Sequence, residues 1–554
     1  MNGEVPVNVA AHLPKMAARQ PDTPAIHIPV GRDAQHKTVY QSYSFAELDH
    51  ASSRRALALE ALGVRRGVRT VLMVTPGFEF FALTFALFKL GAVPVLVDPG
   101  MGVRNLKTCL AEAEPQAFIG IPKAHLARLL LGWGKPSVKI LVTVGRRLLW
   151  GGASLAKQLA AIPADAEYVT AEVEPDETAA ILFTSGSTGV PKGAVYSHGN
   201  FSAQVEMLRQ VYDIRPGEID LPTFPLFALF APALGMSSVI PEMDFTRPAA
   251  VDPAKIFAAI EAFKITTMFG SPALINRVGR YGEEHGLALP SLKRAISAGA
   301  PVPAAVLARF AAMLPDGAEV FTPYGATEAL PVSSIGSAEI LGETRFAADQ
   351  GRGVCVGRPV PNIELEIIRI SDQPIASWDV NLVLADGEIG EIVVRGPQVT
   401  RSYFNRAAST ELAKIAADGA TFYHRMGDLG YRDEQGRIWF CGRKAHRVIT
   451  PGETLFTIPC EAVFNTHAEV FRTALVGVGA PGQQRPVLCV ELEKGIAADA
   501  QERIRAELLE LAAQHAHTGH ITDILFHPDF PVDIRHNAKI FREKLAVWAQ
   551  EQLA

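Results

Sequence analysis

The sequence is poor in cysteine and has no pattern that would pair its thiols. Its 554 residues contain five cysteines, an odd number with no CxxC spacing: Cys109, Cys355, Cys441, Cys460 and Cys489. Small secreted domains that depend on disulfides are instead dense in cysteine. This pattern excludes a disulfide-stapled scaffold, and we expect reduced, mostly structural thiols in a cytoplasmic protein.

The chain also lacks a large excess of charge of either sign. Its 53 Lys and Arg residues and 58 Asp and Glu residues give a formal net charge of −5. Proteins that act mainly on nucleic acid usually carry a strongly basic surface. We therefore expect no nucleic acid as the principal partner.

Long uninterrupted apolar runs are missing as well. The most apolar window, residues 80–100, is divided by Lys89, Gly91 and Pro94 into a helix and a strand. Each is shorter than the roughly 20 residues that a membrane-spanning helix needs. The first twenty residues do not show the basic, apolar and small-residue regions of a signal peptide. We expect neither a signal peptide nor a transmembrane segment.

The sequence does contain a strong alternation of strand and helix patterns. Five Val- and Ile-rich runs in the first half predict strands buried on both faces: 69–74, 92–97, 117–121, 139–144 and 179–184. Such strands separated by helices predict an α/β domain of parallel sheets covered by helices. Segments 387–397 and 436–444 alternate polar and apolar residues between glycines, which predicts a small barrel-like antiparallel subdomain.

The pattern changes near residue 446. Residues 474–493 predict two strands joined by a turn, 500–514 an amphipathic helix, and 524–534 a strand and turn. About a hundred residues of mixed α+β pattern are enough for an independent domain. We therefore predict an N-terminal core domain (1–441), a hinge (442–446) and a mobile C-terminal domain (447–554).

The segment "TSGSTGVPKG" (184–193) combines glycines, hydroxyls and one lysine. A Walker loop opens directly into a helix, whereas here Lys192 lies between Pro191 and Gly193, which disfavours helix formation. We predict a hairpin whose glycines let an anion approach the backbone and whose lysine supplies charge; the alternative is a flexible surface turn. The candidate residues are Thr184, Ser185, Gly186, Ser187, Thr188, Gly189 and Lys192.

This loop resembles the phosphate loop of the adenylate-forming superfamily, which includes acyl-CoA synthetases, luciferases and peptide-synthetase adenylation domains. Further motifs follow in the superfamily's order along almost the whole chain. "SAGAPVP" (297–303) resembles the adenine-binding stretch, and "YGATE" (324–328) the motif that contacts adenine, phosphate and magnesium. "GDLGYRDEQGRIWFCGR" (427–443) resembles the ribose-binding segment, and "NAKIFREK" (537–544) the ending with the adenylation lysine, although Ala538 replaces a glycine. The resemblance implies the fold of this superfamily, with a hinged C-terminal domain.

The resemblance also implies a role for each matching residue. Tyr324 would stack on adenine, Thr327 would meet phosphate, Glu328 would hold Mg²⁺ and Asp428 would bind the ribose hydroxyls. The other implied nucleotide-binding residues are Gly299, Ala300, Pro301, Gly325, Ala326 and Arg443, the last at the hinge. Attack of a carboxylate on the α-phosphate of ATP builds up negative charge, so it needs cations and positioning more than a protein nucleophile. The implied catalytic residues are Lys192, Thr327 and Lys539, and the implied cofactors are ATP and Mg²⁺.

The segment 224–243 is almost wholly apolar, which suits a long alkyl acid better than a polar amino acid. Its pocket candidates are Phe227, Phe230, Leu234 and Met236, and the alternative is ordinary core packing of a buried helix. Three stretches, 95–115, 223–236 and 388–406, resemble the β-lactone synthetases of bacterial long-chain olefin biosynthesis. That resemblance implies a long-chain 2-alkyl-3-hydroxy (β-hydroxy) acid as substrate, lactone closure by its own 3-hydroxyl, and assembly with other enzymes of the olefin pathway.

At the predicted hinge the sequence departs from the superfamily's pattern, and these departures concern the step that consumes the adenylate. Ala445 occupies the position where relatives carry Asp or Lys, and Pro451 begins a segment that is often Gly-Gly-Glu, which weighs against transfer to a thiol. The alternatives are a long- or medium-chain acyl-CoA ligase and a non-catalytic AMP-binding regulatory or scaffold protein.

No base for the 3-hydroxyl emerges, since His198, His446 and His536 fit structural or surface roles better. For segment 132–152 we favour a solvated loop around a buried strand over a membrane or partner contact.

Overall fold

The computed structural model describes residues 6–97, 101–184, 190–532 and 540–554. The first nine strands are β1 (Pro24–Arg32), β2 (Thr38–Ser44), β3 (Arg69–Met73), β4 (Val93–Leu96), β5 (Ala117–Gly120), β6 (Ile140–Thr143), β7 (Ala153–Ser154), β8 (Thr178–Phe183) and β9 (Gly193–Ser197). Seven of them form one sheet in the order β7-β6-β5-β3-β4-β8-β9, in which only the β8–β9 pairing is antiparallel. The five predicted buried strands are all in this sheet.

Helices cover both faces of this sheet. The helices of this part are α1 (His12–Arg19), α2 (Phe45–Ala61), α3 (Phe78–Lys89), α4 (Val103–Ala113), α5 (Pro122–Leu131) and α6 (Leu155–Ala160). Successive strand residues point to opposite faces, so Val71 packs in a cluster with α4 while Leu72 packs in a cluster with α2 and α3. Every residue of α3 from Phe80 to Lys89 is buried, as expected of a helix that is apolar all round.

A second sheet joins the two N-terminal strands to five later ones: β10 (Ile219–Pro222), β11 (Ser237–Val239), β12 (Thr267–Phe269), β13 (Arg294–Ile296) and β14 (Glu319–Phe321). The order is β14-β13-β12-β10-β11-β1-β2, and only β1–β2 is antiparallel. The helices of this part are α7 (His198–Tyr212), α8 (Ala231–Leu234), α9 (Pro253–Phe263), α10 (Pro272–His285), α11 (Ala304–Ala311), α12 (Ser337–Glu339) and α13 (Arg345–Ala347). The predicted α/β core of parallel sheets is confirmed.

Two antiparallel sheets follow the parallel ones. Their strands are β15 (Tyr324–Ala326), β16 (Ala329–Ser334), β17 (Val354–Cys355), β18 (Arg358–Pro359), β19 (Glu364–Ile368), β20 (Gly390–Arg395), β21 (Lys414–Ala416), β22 (Phe422–Arg432) and β23 (Ile438–Arg443), with helix α14 (Ala407–Ala413) before β21. The larger sheet runs β17-β23-β22-β20-β19, with β21 paired to β22. Within the described residues it stays open, so "barrel-like" holds for its antiparallel character and not for closure.

The remaining residues form a small α+β unit. Its elements are β24 (Val448–Ile449), β25 (Thr454–Leu455), α15 (Thr457–Phe464), β26 (Val470–Val478), β27 (Arg485–Leu492), α16 (Gln501–Ala513), β28 (Asp523–Phe526) and α17 (Arg542–Leu553). β26 and β27 are the predicted antiparallel pair, and β28 joins β27 in parallel. The unit has its own core around Leu475, Leu488 and Leu508. The division into a core domain, a hinge and a mobile C-terminal domain stays a prediction.

All five cysteines are buried and unpaired. Burial raises the pKa of each thiol, which keeps these cysteines protonated at neutral pH and weakly nucleophilic.

Within the described part of the chain, the helices are too short or too polar to cross a bilayer.

Candidate active site

A cleft of about 2710 Å³ is lined by the loops that follow the strands of both parallel sheets. In open α/β sheets, ligands bind outside the carboxyl ends of the strands. The lining residues that directly follow a strand of these sheets are Val74, Val97, Ile121, Thr184, Thr223, Ile240 and Thr322. Both parallel sheets therefore direct their ligand-binding edges into the same cleft.

The hairpin β15–β16 brings the YGATE motif into this cleft. Ala326 pairs with Ala329, so Thr327 and Glu328 form the two-residue tip, and both line the cleft. A Cβ on Gly325 would lie 2.5 Å from the carbonyl oxygen of Ala329, so this position requires glycine. The hydroxyl of Tyr196, in β9, donates a 2.6 Å hydrogen bond to the carbonyl oxygen of Thr327. This bond fixes the tip of the hairpin to the first sheet.

Asp428 and Arg443 face each other across neighbouring strands. They are Cα partners in the β22–β23 pairing, and Arg443 Nη1 donates to Asp428 Oδ1 at 2.8 Å. The hydroxyl of Tyr324 donates to the other carboxylate oxygen at 2.6 Å. Burial raises the pKa of Asp428, and the Arg443 guanidinium opposes that shift. Three residues predicted from separate motifs thus form one hydrogen-bonded group in the cleft.

Burial, followed by the neighbouring Asp428 carboxylate, raises the pKa of Tyr324 well above its ordinary value. Tyr324 therefore keeps its proton at neutral pH and serves as the donor in its bond to Asp428. Its hydroxyl is held by Asp428 and the residue lines the cleft, so the stacking role that the resemblance implies stays a prediction.

Glu328 is oriented by a tyrosine that sequence reasoning missed. The hydroxyl of Tyr403, which is buried, donates to Glu328 Oε1 at 2.5 Å. The backbone N–H of Thr400 donates to the carbonyl oxygen of Glu328 at 2.9 Å. Burial, and after it the Glu328 charge, raises the pKa of Tyr403, so this hydroxyl remains a donor.

The chemistry of Glu328 fits a magnesium ligand. Among the described residues, its second oxygen Oε2 accepts no hydrogen bond, and the side chain borders the cleft. Mg²⁺ prefers oxygen ligands and commonly combines one or two carboxylates with water and substrate phosphate. One oriented carboxylate that borders the cleft supplies one ligand of this kind. Glu328 therefore stays the predicted metal ligand.

Lys192 lies at the base of the glycine-rich loop. Its backbone N–H donates to Thr184 Oγ1 at 3.2 Å, while Thr184 N–H donates to the Lys192 carbonyl at 3.0 Å. The Lys192 ammonium lies 5.0 Å from the centre of the Tyr403 ring, a cation–π distance. Lysine, tyrosine and Glu328 therefore share one wall of the cleft.

Six predicted site residues lie outside the described part of the chain: Ser185, Gly186, Ser187, Thr188, Gly189 and Lys539. His536 and Ala538 lie outside it as well. For these residues the sequence-based roles stay predictions.

The predicted adenine-binding stretch, residues 297–303, follows β13. Gly299, Ala300 and Pro301 all line the cleft, as do Gly325 and Ala326 of the hairpin. Gly299 has φ of +102°, a conformation that favours glycine.

The apolar segment divides into two environments. Phe227 and Phe230, in a 3₁₀ helix over Pro225–Phe230, line the cleft. Leu234 and Met236 do not; both are buried in a separate core cluster with Val205 and other residues. The structure therefore places the two phenylalanines where a substrate could reach them, whereas for Leu234 and Met236 it favours the alternative of core packing.

The predicted hinge is held by polar contacts on one side. Lys444 Nζ donates to Glu391 Oε1 at 2.9 Å and to the carbonyl oxygen of Ser371 at 2.8 Å. Ala445 is exposed. His446 borders the cleft, and its pKa is lowered to about 4 by burial and then by Arg542. Motion about residues 442–446 stays a prediction.

Two further basic side chains near Glu328 were not anticipated. Lys414 Nζ donates to the carbonyl oxygen of Thr400, the residue whose N–H binds Glu328. Burial lowers the pKa of Lys414 to about 7, with Glu328 opposing the shift. Burial, reinforced by Lys414, also holds the pKa of His424 well below its ordinary value. These residues are 75 or more positions from Glu328 along the chain, and no motif spacing connects them to it.

Comparison with known proteins places this site in a family. Residues 13–404 match the family of AMP-binding enzymes. The chain is 54% identical over 550 residues to the olefin β-lactone synthetase of Xanthomonas campestris pv. campestris, covering 98% of each chain. It is 53% identical to the olefin β-lactone synthetase of Stenotrophomonas maltophilia, covering 99% of each. The chain belongs to the AMP-binding enzyme family.

Solved structures of the same architecture have low sequence identity to this AMP-binding enzyme. The amide bond synthetase McbA from Marinactinospora thermotolerans has a TM-score of 0.76 at 22% identity, covering 98% of this chain and 99% of McbA. The anthranilate CoA ligase AuaEII in complex with anthranoyl-AMP has a TM-score of 0.78 at 19% identity, covering 100% and 99%. These likenesses confirm the fold, and the family match confirms the predicted AMP-forming ligase.

Proposed function

We propose that this AMP-binding enzyme activates the carboxylate of a long-chain 2-alkyl-3-hydroxy fatty acid with ATP and closes it to a β-lactone. The observation that carries this function is the identity of 53–54% to two olefin β-lactone synthetases over almost the entire length of each chain. The putative acyl-CoA ligase YdaB of Bacillus subtilis is 26% identical over 487 residues, and the feruloyl-CoA synthase of Amycolatopsis is 28% identical over 441 residues. The acyl-CoA ligase and scaffold alternatives are therefore not favoured.

In the first step, a carboxylate oxygen of the acid attacks the α-phosphorus of ATP, and pyrophosphate leaves. Tyr324 and Asp428 are placed to hold the nucleoside through its base and ribose. Lys192 contributes positive charge where negative charge increases. Mg²⁺, held by Glu328, would neutralise phosphate charge when bound. Lys539, the implied adenylation lysine, completes the proposed set.

In the second step, the 3-hydroxyl oxygen of the same molecule attacks the acyl carbon. The bond between this carbon and the bridging phosphate oxygen breaks, AMP leaves, and the hydroxyl loses its proton. Because the nucleophile is tethered to the acyl group, its effective molarity in a well-oriented complex can reach roughly 10⁵ M. No second substrate is needed, which is consistent with Ala445 at the position where relatives carry Asp or Lys.

In this proposal the acyl chains lie along the apolar side of the cleft. Phe227 and Phe230 border this region; the Phe227 ring packs edge-to-face on Phe269, and the Phe230 ring packs on Phe201 at an interplanar angle of 53°. A wall of phenylalanines excludes water and favours alkyl groups over polar side chains.

The proposal also includes a cytoplasmic location and assembly with other enzymes of the olefin pathway. The five unpaired cysteines favour the cytoplasmic location.

The test is product analysis by mass spectrometry after incubation of a racemic 2-alkyl-3-hydroxy acid with ATP and Mg²⁺. We expect a product lighter than the acid by one water, formed with one equivalent of AMP and unchanged in rate when CoA is added. A product that forms only with CoA would contradict lactone closure. A Lys192→Ala variant should lose activity while binding AMP, which separates a catalytic site from a nucleotide-binding scaffold.

A further inference from the structure

Helix α5 exposes leucines on the side that faces away from the core. Its inward face, Ala124, Ala127 and Leu131, packs on the cluster beneath the first sheet. On its outer side Leu126, Leu129 and Leu130 are 49%, 58% and 74% exposed. The outer face of a surface helix is usually polar, and contiguous exposed apolar side chains mark interaction sites.

The loop after β6 adds two more leucines to this surface. Leu148 and Leu149 are 49% and 105% exposed. The loop is anchored to α5, because the Trp150 ring stacks on His125 at 5.4 Å with an interplanar angle of 6°. Trp150 Nε1 also donates to Thr143 Oγ1 at 2.9 Å. We call the exposed leucines of this helix and of the loop anchored to it the leucine patch: Leu126, Leu129, Leu130, Leu148 and Leu149.

The charges within the segment that carries the leucine patch are all of one sign. Residues 122–152 contain six basic residues and no acidic one, in a chain whose net charge is −5. Five of the six are exposed, and within the described part of the chain none of the five forms an ion pair: Lys123, Lys135, Lys139, Arg146 and Arg147. The two arginines directly precede Leu148 and Leu149. Exposed cations beside exposed leucines are typical of proteins that lie on anionic lipid.

Helix α5 also borders the cleft. Lys123, Ala124 and Ala127 line it, together with Trp133 just beyond the helix. A single helix thus separates the cleft from the leucine patch. An acid with long alkyl chains would be concentrated in a bilayer, so a site beside a lipid surface would shorten its path to the cleft.

We propose that the leucine patch docks this enzyme on an anionic membrane surface, with the leucines at the acyl boundary and the basic side chains among the headgroups. The purpose, delivery of a lipid acid to the cleft, rests on the proposed function, but the docking does not. A lipid surface is favoured over a protein partner because the charge within this segment is uniform and unpaired. The proposal therefore replaces the solvated loop expected for residues 132–152 with a membrane contact.

The test is co-sedimentation of the full chain with vesicles of phosphatidylcholine, with and without about 30% phosphatidylglycerol. We expect partition onto the anionic vesicles, weakened by added salt. R146E/R147E should weaken it by at least about 30-fold, since losing the attraction of each basic residue near such a surface weakens binding roughly fivefold, and the new carboxylates add repulsion. L148S/L149S should weaken it at least about tenfold through lost apolar burial.

Matched controls carry the same changes at exposed positions elsewhere. K37E/K494E repeats the charge reversal, and V169S/V380S replaces valines that are 90% and 73% exposed. Both should partition like the wild type. Equal loss in these controls, or no partition of the wild type, would overturn the proposal. It would also be overturned if a purified enzyme of the same pathway bound the patch while vesicles did not.

Exchange of pyrophosphate into ATP with a short, water-soluble 3-hydroxy acid separates docking from catalysis. The patch variants should exchange at the wild-type rate, since their changes lie outside the cleft. Absence of exchange in the wild type would count against the proposed function, whereas absence of vesicle binding would count against docking alone.

Discussion

The hydrogen bond from Tyr403 to Glu328 makes a sharp prediction about metal dependence. Tyr403→Phe removes one hydroxyl and keeps the ring on which the Lys192 ammonium lies, 5.0 Å from the ring centre. A hydrogen bond to a charged group contributes about 1.5–3 kcal/mol. At 1.36 kcal/mol per tenfold change, the loss should raise the Mg²⁺ concentration for half-maximal activity, or lower the exchange rate at fixed Mg²⁺, by about 10- to 100-fold.

The assay is pyrophosphate exchange at a series of Mg²⁺ concentrations with saturating ATP and acid. Tyr423→Phe is the matched control. Tyr423 is also buried and its hydroxyl also donates to a glutamate, Glu364, but neither residue lines the cleft. Both variants should lose comparable stability in denaturant unfolding, but only Tyr403→Phe should change the Mg²⁺ dependence. An unchanged Mg²⁺ dependence in Tyr403→Phe would refute the role of this bond in orienting the metal ligand.

Three other predictions concern the acid pocket and the charges around the phosphate site. Phe230→Ala should shift kcat/KM toward longer acids across an acid series, whereas Leu234→Ala should lower the free energy of unfolding by about 2–5 kcal/mol and leave chain preference unchanged. Because the pKa of Lys414 is lowered to about 7, its positive charge beside Glu328 disappears as the pH rises through 7. KM for ATP should therefore increase above pH 7 in the wild type and stay flat in Lys414→Met. Between pH 7 and 10.5 the unfolded chain binds the extra proton, so wild-type stability should rise with pH relative to Lys414→Met in thermal unfolding.

The sequence predicted the fold well because the fold depends on local patterns. The buried parallel strands are continuous apolar runs, since both of their faces are covered, and each falls within one or two residues of its predicted bounds. Closure of the antiparallel strands was less predictable. Whether β19 meets another strand depends on pairing between distant segments, and strand alternation carries no information about that.

Candidate site residues could be named from the sequence only where they belong to a motif. Tyr324, Asp428 and Arg443 converge as the motifs imply, because the β22–β23 register places Asp428 opposite Arg443. Tertiary packing brings the Tyr403 hydroxyl to Glu328 and the Lys414 ammonium to the neighbouring Thr400 carbonyl, and the types and positions of both residues look ordinary in the sequence. The apolar segment shows the same limit, since pocket and core side chains are chemically alike and only the path of the chain separates Phe230 from Leu234.

The fate of the carboxylate oxygens tests the account most directly. An acid labelled with oxygen-18 in both carboxylate positions is incubated with ATP and Mg²⁺ without CoA, and AMP and product are analysed by mass spectrometry. Adenylation followed by attack of the 3-hydroxyl predicts one labelled oxygen in AMP and one in the lactone carbonyl, with an unlabelled ring oxygen. Two labelled oxygens in the lactone and none in AMP would mean that the hydroxyl had been the activated group, and would contradict carboxylate adenylation.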